Sequence, residues 1–256
     1  MKFFSLHVKL SNFFRLTINQ KDKARKSLYN VHSFFLVFLK GDTIETSHSY
    51  SLIEEIWHST IHGIGLLLSV SALSILCVYA GQSNEGAKIA SAIVFGLSLM
   101  VMYGASTLYH AIAAPKTKSI LQQIDHCAIF ILIAGTYTPI SLLGVKGTLG
   151  WELFGMVWGI AALGVSLNLF FPQRFRKPSV ILYILMGWMV VGVFKTLVAN
   201  LDTLTLSLLL AGGITYTVGV VFYVWRKLYL NHAIWHFFVL AGSSFHFFMV
   251  LRLILK

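Results

Sequence analysis

Long apolar runs separated by short polar breaks make up most of this chain. Seven runs follow residue 50, at about 56–80, 87–112, 121–143, 149–171, 179–199, 203–225 and 231–254. Each run is close to or above the roughly 20 residues that a helix needs to cross the hydrocarbon core of a bilayer. Because a backbone in lipid must satisfy its own hydrogen bonds, such runs predict helices. The pattern therefore predicts an all-α bundle of seven transmembrane helices over residues 51–256.

The breaks between the runs contain residues that end helices. They are polar, charged or rich in Gly and Pro, and lie at 81–86, 115–118, 144–150, 172–178, 200–202 and 226–227. Pro139 is different, because it lies inside the third run, just after Thr136 and Thr138. Proline removes a backbone hydrogen bond, so we expect a kink here, with the hydroxyls available to the freed carbonyl.

Residues 1–50 follow another pattern. Eight Lys and Arg residues occur there among short aromatic clusters. The apolar stretch at 31–39 has only about half the length of a spanning helix, and no small-residue cleavage site follows it, which argues against a signal peptide. We expect a basic cytoplasmic extension that is partly disordered or forms an interfacial helix on anionic lipid.

Composition and charge support an integral membrane protein. The chain is 57% hydrophobic and 11% charged, which excludes an ordinary soluble domain. A net charge of +11 would suggest nucleic acid in a soluble chain, but these basic residues lie between apolar runs, so no nucleic-acid partner is expected. With alternate breaks on alternate sides, 15 of the 20 Lys and Arg residues share the side of the N-terminus. This bias predicts a cytoplasmic N-terminus, an outside C-terminus and a place in the inner (plasma) membrane.

Two cysteines, Cys77 and Cys127, lie inside apolar runs. Two are too few for a disulfide framework or a four-cysteine metal site, so we expect buried, inert thiols. Cys127 lies two residues after Asp125, and its thiol is a less favoured alternative metal ligand.

Polar residues that suit a metal site occur at ends of runs that the topology places together. The last run opens with His232 and His236, and a spacing of four stacks two imidazoles on one helix face. The second run closes with Ser106 and His110, and the third opens near Asp125. In the predicted orientation all of them lie at the cytoplasmic leaflet. Polar groups in a spanning segment are costly and usually serve a site, so these groups are candidates for one.

The residue types indicate particular roles. Three imidazoles around a divalent ion, with water in the fourth position, form a catalytic zinc site. Asp125 is placed to hold or deprotonate a metal-bound water. Ser106, one turn deeper than His110, would bond a ligand, that water or a substrate oxygen.

A plainer interpretation stays open, because a histidine near a helix end is more often an interfacial or hydrogen-bonded residue than a ligand. We adopt it for His126, and also for His58 and His62, which share the spacing of four at the inner end of the first run. That pair would otherwise form a second site or line the first. His246 lies deeper, and we expect it to make a structural hydrogen bond to a neighbouring helix.

Three motifs at these positions resemble the hemolysin III family. They are Ser-Thr-Leu-Tyr-His at 106–110, Leu-Gln-Gln-Ile-Asp-His at 121–126 with Gly-Thr-Tyr-Thr-Pro at 135–139, and Asn-His-Ala-Ile-Trp-His-Phe at 231–237. The resemblance covers about residues 50–256. This family is the bacterial branch of the progestin and adipoQ receptor group and is related to alkaline ceramidases.

The resemblance carries expectations for the site. It implies zinc ligands at His110, His232 and His236, a water-holding aspartate at Asp125 and the family's serine at Ser106. The adiponectin receptor branch has its zinc within the inner leaflet and is associated with ceramide hydrolysis. We therefore expect a zinc-dependent hydrolase that acts on an amide or ester of a membrane lipid at the inner leaflet.

Two alternatives remain. The protein would otherwise be a non-enzymatic regulator of membrane state or of ion and proton homeostasis, or a haemolysin-like cytolytic membrane protein. A proton or ion path needs polar residues from the site to the outer face. Only Ser166, Asn168 and His246 are candidates, and a toxin with seven spans and no soluble domain is disfavoured.

Overall fold

The computed structural model describes residues 50–256, except for the side chains of residues 176 and 177. Within this range the chain is helical, with no β-strand. The α-helices are α1 (Leu52–Ser83), α2 (Gly86–Ala111), α3 (Pro115–Pro139), α4 (Gly147–Phe170), α5 (Pro172–Gly187), α6 (Phe194–Asn200), α7 (Thr203–Val224) and α8 (Asn231–Leu255). A π-helix, Ile140–Val145, follows α3, and a 3-10 helix, Met189–Val193, separates α5 from α6. The predicted extension at 1–50 lies almost entirely outside the described residues.

Within residues 50–256, seven helical segments are long and apolar enough to cross a membrane. The third combines α3 with its π-helix over Pro115–Val145, and the fifth combines most of α5 with the 3-10 helix and α6 over Pro178–Asn200. The predicted all-α, seven-span fold is confirmed, and the protein is a multi-pass integral membrane protein. The predicted runs were too short at several ends because polar residues continue the helices, such as Glu54 and Glu55 in α1 and Lys116 and Lys118 in α3. The orientation of the termini stays a prediction.

The ends of several helices have clear local causes. Ser51 and Glu54 form a capping box at the start of α1, in which each side chain bonds to the backbone of the other. Asp202 caps α7 by accepting a hydrogen bond from the Thr205 backbone N–H at 3.1 Å. Between the third and fourth spans the chain reverses at Lys146 and Gly147, with φ of 62° and 61°. Glycine adopts this left-handed conformation at little cost.

The expected irregularity at Pro139 takes the form of a π-helix that begins at the next residue. Proline cannot donate the hydrogen bond that would continue an α-helix, and the wider helix follows from that loss. The nearby hydroxyls bond to carbonyls one turn back: Thr136 Oγ1 donates to Leu132 at 2.8 Å and Thr138 Oγ1 to Ala134 at 3.1 Å. They thereby support the turn preceding the proline.

The third span is the centre of the bundle. In its most apolar 18-residue window 78% of the residues are buried, against 22% to 50% in the other six spans. Small residues allow close packing around it: a Cβ at Gly135 would collide with Ser98 of α2. Outside this centre, α1 packs against both α2 and α8. The start of α1, the end of α2 and the start of α8 therefore meet at one end of the bundle.

Candidate metal centre

Five histidines from three helices form one cluster at that end of the bundle. α1 contributes His58 and His62, α2 contributes His110, and α8 contributes His232 and His236. The ring centroid of His58 lies 4.6 Å from that of His110 and 4.8 Å from that of His232. His236 lies 4.5 Å from His232 and 5.0 Å from His110. We call this group the histidine cluster.

The cluster has the geometry of a metal site. One potential ligand nitrogen from each of His58, His110 and His232 lies within 4.8 Å of the others. A metal placed between them would be within reach of all three at ordinary metal–nitrogen distances of about 2.0–2.1 Å after small ring movements. His236, which the sequence predicts as a ligand, borders the same space.

Unsatisfied nitrogens support a metal at this position. Within the described part of the chain, the buried Nε2 atoms of His58, His110 and His232 have no hydrogen-bond partner. Buried polar atoms nearly always have one, so a group of orphaned nitrogens that point toward a common space needs an explanation, and a bound cation supplies one. Zinc fits, because neutral imidazole is one of its preferred ligands.

A carboxylate orients one of these imidazoles. Glu55 Oε2 accepts a hydrogen bond from His110 Nδ1 at 2.6 Å, and Lys118 Nζ lies 2.9 Å from Glu55 Oε1. Because a carboxylate can only accept, this bond assigns the ring proton to Nδ1 and leaves Nε2 of His110 free to bind metal. Carboxylate–histidine pairs of this kind are common behind metal ligands.

His236 and His62 form a stacked pair at the deeper side of the cluster. Their rings are 3.6 Å apart and inclined by only 7°. His236 Nδ1 lies 3.2 Å from the carbonyl oxygen of His58 and can donate a hydrogen bond to it. In that tautomer Nε2 of His236 is the atom available to a metal.

Ser106 and Asp125 lie beside the cluster. The Asp125 side chain is buried, and its carboxylate lies near His126, His110 and Ser106. Ser106 Oγ is buried and makes no hydrogen bond of good geometry to the described residues. Both side chains line the same cavity as His232 and His236. The structure thus brings together all five predicted site residues, although their roles stay predictions.

The cavity extends from the cluster into the bundle. Its volume is about 160 Å³, several times the roughly 10–15 Å³ that one water requires. Its lining is mostly apolar beyond the cluster, with residues such as Leu132, Ile184 and Val239, and it reaches His246. A cavity with a polar end and an apolar body suits an amphipathic ligand.

The remaining candidates make structural contacts. His246 Nε2 bonds to the Leu209 carbonyl of α7 at 3.2 Å, as predicted. The His126 carbonyl accepts a hydrogen bond from Tyr183 at 2.8 Å, and its side chain borders the cavity. Cys127 is a free, buried thiol near the Val165 carbonyl, and it is not part of the histidine group that can hold a metal.

The sequence interpretation missed Glu55 and treated His58 as an interfacial or hydrogen-bonded residue, with a second site or the lining of the first site as the alternative. The sequence does contain a signal for both residues. Glu55, His58 and His62 are spaced by three and four residues, so their side chains share one face of the helix. What the sequence could not show is that this face of α1 turns toward α2 and α8.

A family model described as "Haemolysin-III related" matches residues 50–247, which is most of the chain. The chain belongs to the haemolysin III family. Its similarity to family members is substantial: "Hemolysin-3" of Bacillus cereus is 46% identical over 202 residues, covering 79% of this chain and 92% of that protein. "Hemolysin-3 homolog" of Bacillus subtilis (strain 168) is also 46% identical over 202 residues, covering 79% and 95%. The family predicted from the three motifs is therefore confirmed.

A more distant similarity extends to animals. "Monocyte to macrophage differentiation factor" of Homo sapiens is 27% identical over 165 residues, covering 61% of this chain and 67% of that protein. The matched region of the haemolysin III family model contains Ser106, His110, Asp125, His232 and His236. It also contains Glu55 and His58, so the whole histidine cluster lies within the family region of the chain.

Proposed function

We propose that this haemolysin III protein is a zinc-dependent hydrolase that cleaves an amide or ester bond of a membrane lipid. The observation that carries the proposal is the position of the histidine cluster, with Asp125 and Ser106, at the polar end of a largely apolar cavity. An acyl chain would fill the apolar part and place its carbonyl carbon beside the polar groups. In the predicted topology this end lies at the inner leaflet, where lipid is the available substrate.

The proposed roles follow from donor chemistry. His110, His232 and His236 hold the metal through ring nitrogens, and Glu55 fixes the tautomer of His110. When bound, zinc acidifies a water molecule and polarises a carbonyl group. Ser106 has an unused hydroxyl at the cavity wall, and it donates a hydrogen bond to the substrate carbonyl oxygen.

Asp125 is the base in this scheme. The attacking water adds its oxygen to the carbonyl carbon, and Asp125 takes the proton that the water releases. The carbon–nitrogen or carbon–oxygen bond then breaks, and Asp125 returns the proton to the leaving amine or alcohol. The products are a fatty acid and the remainder of the lipid, so the atoms and protons balance without a further reactant.

A lipid screen tests this proposal. The purified protein would be reconstituted in vesicles that contain long-chain amides and esters, and free fatty acid would be measured by mass spectrometry. We expect release from at least one lipid, loss of release after chelation and recovery with added zinc. A folded, zinc-loaded protein that releases no fatty acid from any lipid would argue for a regulatory role instead.

A second candidate function is membrane lysis. It is favoured by the similarity to "Hemolysin-3" of Bacillus cereus, which is 46% identical to this chain over 202 residues. Haemoglobin release from erythrocytes, with the wild-type protein and a His232→Ala variant side by side, separates the two functions. Lysis that persists without the metal ligand would support a cytolytic protein independent of hydrolysis.

A further inference from the structure

His58 of α1 occupies a position that an interfacial or hydrogen-bonding role does not explain. Its side chain is fully buried at 0% exposure, and it lies between His110 and His232, with ring centroids 4.6 and 4.8 Å away. Of the possible combinations in the cluster, it is His58, His110 and His232 whose ligand atoms lie within 4.8 Å of one another. The His58 ring therefore lies directly beside two of the predicted metal ligands, His110 and His232.

The hydrogen bonding of His58 separates it from the structural histidines of the chain. His246 uses Nε2 to bond to the Leu209 carbonyl, and His236 has the His58 carbonyl near its Nδ1. Neither ring nitrogen of His58 has a partner among residues 50–256. A buried imidazole kept only for packing would satisfy at least one nitrogen, or would be replaced by an apolar ring.

One ion would satisfy several of these atoms together. The Nε2 atoms of His110 and His232 are buried and unpartnered within the described range, as is His58. Within residues 50–256 no side chain bonds to any of these Nε2 atoms, whereas a divalent cation accepts electron pairs from three imidazoles at once. His62 is also unpartnered, but it lies outside this group and stacks on His236.

We propose that His58 is an additional ligand of the metal, so that α1 joins α2 and α8 in holding it. The inference rests on the metal of the proposed function, but it does not depend on hydrolysis. Addition of His58 to His110, His232 and His236 gives four imidazoles from three helices. A catalytic zinc site can expand to five-coordination, so a position for water remains available.

This ligand would have a structural consequence. α1 is the first helix of the bundle and α8 the last, and they pack against each other. A metal held by His58 and His232 links the two ends of the transmembrane domain. Metal removal would then loosen the contact of α1 with α8, as well as the end of α2.

The test compares His58→Phe with His62→Phe. Phenylalanine keeps an aromatic ring of similar size and cannot bind metal, and the two positions lie one turn apart on the same helix. The proteins would be purified in detergent, stripped and reloaded with Zn²⁺ or Co²⁺. Zinc affinity would be measured by competition with a chelator, and ligand number by the visible absorption spectrum of the Co²⁺ form and by X-ray absorption at the zinc edge.

We expect His58→Phe to lower zinc affinity by at least about 100-fold, beyond the 10–100-fold typical for loss of an outer-shell partner. Its Co²⁺ spectrum should change and its zinc edge should show one imidazole fewer, whereas His62→Phe should keep the wild-type number of imidazoles at the zinc edge. Unchanged affinity and spectrum in a folded His58→Phe protein would overturn the proposal and leave the hydrolase intact. A wild-type protein that binds no divalent metal would overturn both.

Discussion

Glu55 Oε2 lies 2.6 Å from His110 Nδ1, and this hydrogen bond joins the first turn of α1 to the last turn of α2 at the histidine cluster. The same carboxylate pairs with Lys118 at the start of α3. Glu55 therefore connects three helices and holds one imidazole in the tautomer that a metal requires. A change that removes its charge but keeps its shape should weaken the site without dismantling it.

Glu55→Gln is expected to lower zinc affinity by about 10–100-fold, because an outer-shell partner orients the ligand and raises its basicity. Isothermal titration with zinc after chelator treatment measures the change. Glu54→Gln is the matched control, since the Glu54 side chain bonds to Ser51 at the helix cap and is only partly buried. Similar losses in both variants would show that the effect arises from general destabilisation of α1.

His232→Ala and His236→Ala should each lose the metal and much of the thermal stability that the metal provides. A ligand that binds only the folded state stabilises it by about 2.7 kcal/mol when present at 100 times its dissociation constant. Thermal unfolding in detergent, with and without zinc, measures this difference. His126→Ala should keep both the metal and the zinc-dependent stabilisation, because His126 lies on α3 and is not one of the five histidines of the histidine cluster.

The predicted topology has the C-terminus outside the cell, on the basis of the distribution of Lys and Arg. A reporter fused at residue 256 should lie on the outer side of the membrane, and a reporter inserted in the break at 226–227 should lie in the cytoplasm. Accessibility of single engineered cysteines to an impermeant thiol reagent provides an independent measurement. A cytoplasmic C-terminal reporter would place the histidine cluster at the opposite leaflet.

An ion-pair network at the other end of the bundle predicts a pH effect. Asp202 bonds to Lys256, to Thr205 and to Arg252, the last at 3.0 Å. The hydrogen bond from Lys256, followed by that from Thr205, holds the pKa of Asp202 well below its ordinary value of 3.8. Because the folded-state pKa is lowered, the stabilisation is complete above that ordinary value and declines as the pH falls below it.

Asp202→Asn tests this effect. The stability difference between wild type and variant should be constant from neutral pH down to about pH 5 and should shrink on further acidification, since the wild type alone loses the carboxylate charge. Melting temperature in detergent as a function of pH is the measurement. If the difference in melting temperature between wild type and variant grew on acidification, the ion pairs of Asp202 would not be its cause.

Much of the fold was predictable because the bilayer imposes a simple rule. Each apolar run is long enough to span, and the structure contains a spanning helix for each one. The ends were less predictable, since capping by Ser51 and Glu54 extends α1 beyond its apolar run. The break of the fifth span at Met189–Val193 carries no proline, and tertiary contacts such as the bond from Val190 N–H to Tyr137 accompany it.

The site was predictable in part for a related reason. Topology and motifs placed His110, Asp125, His232 and His236 at one depth, and the structure brings them together. The rotation of α1 about its axis was not predictable from apolar periodicity, because much of this helix is apolar on all sides. Only the packing of α1 against α2 and α8 in the structure shows that His58 and Glu55 lie at the site.

The most direct test of the hydrolase is the Asp125→Asn variant, assayed for fatty-acid release in parallel with the wild-type protein and with zinc content determined for both. The variant changes charge and basicity but hardly shape. We predict that it keeps its zinc and loses about 10²–10⁴ in rate, the range for removal of a general base. Loss of the metal together with activity would instead make Asp125 a ligand of a structural site, and equal rates in the two proteins would contradict the proposed mechanism.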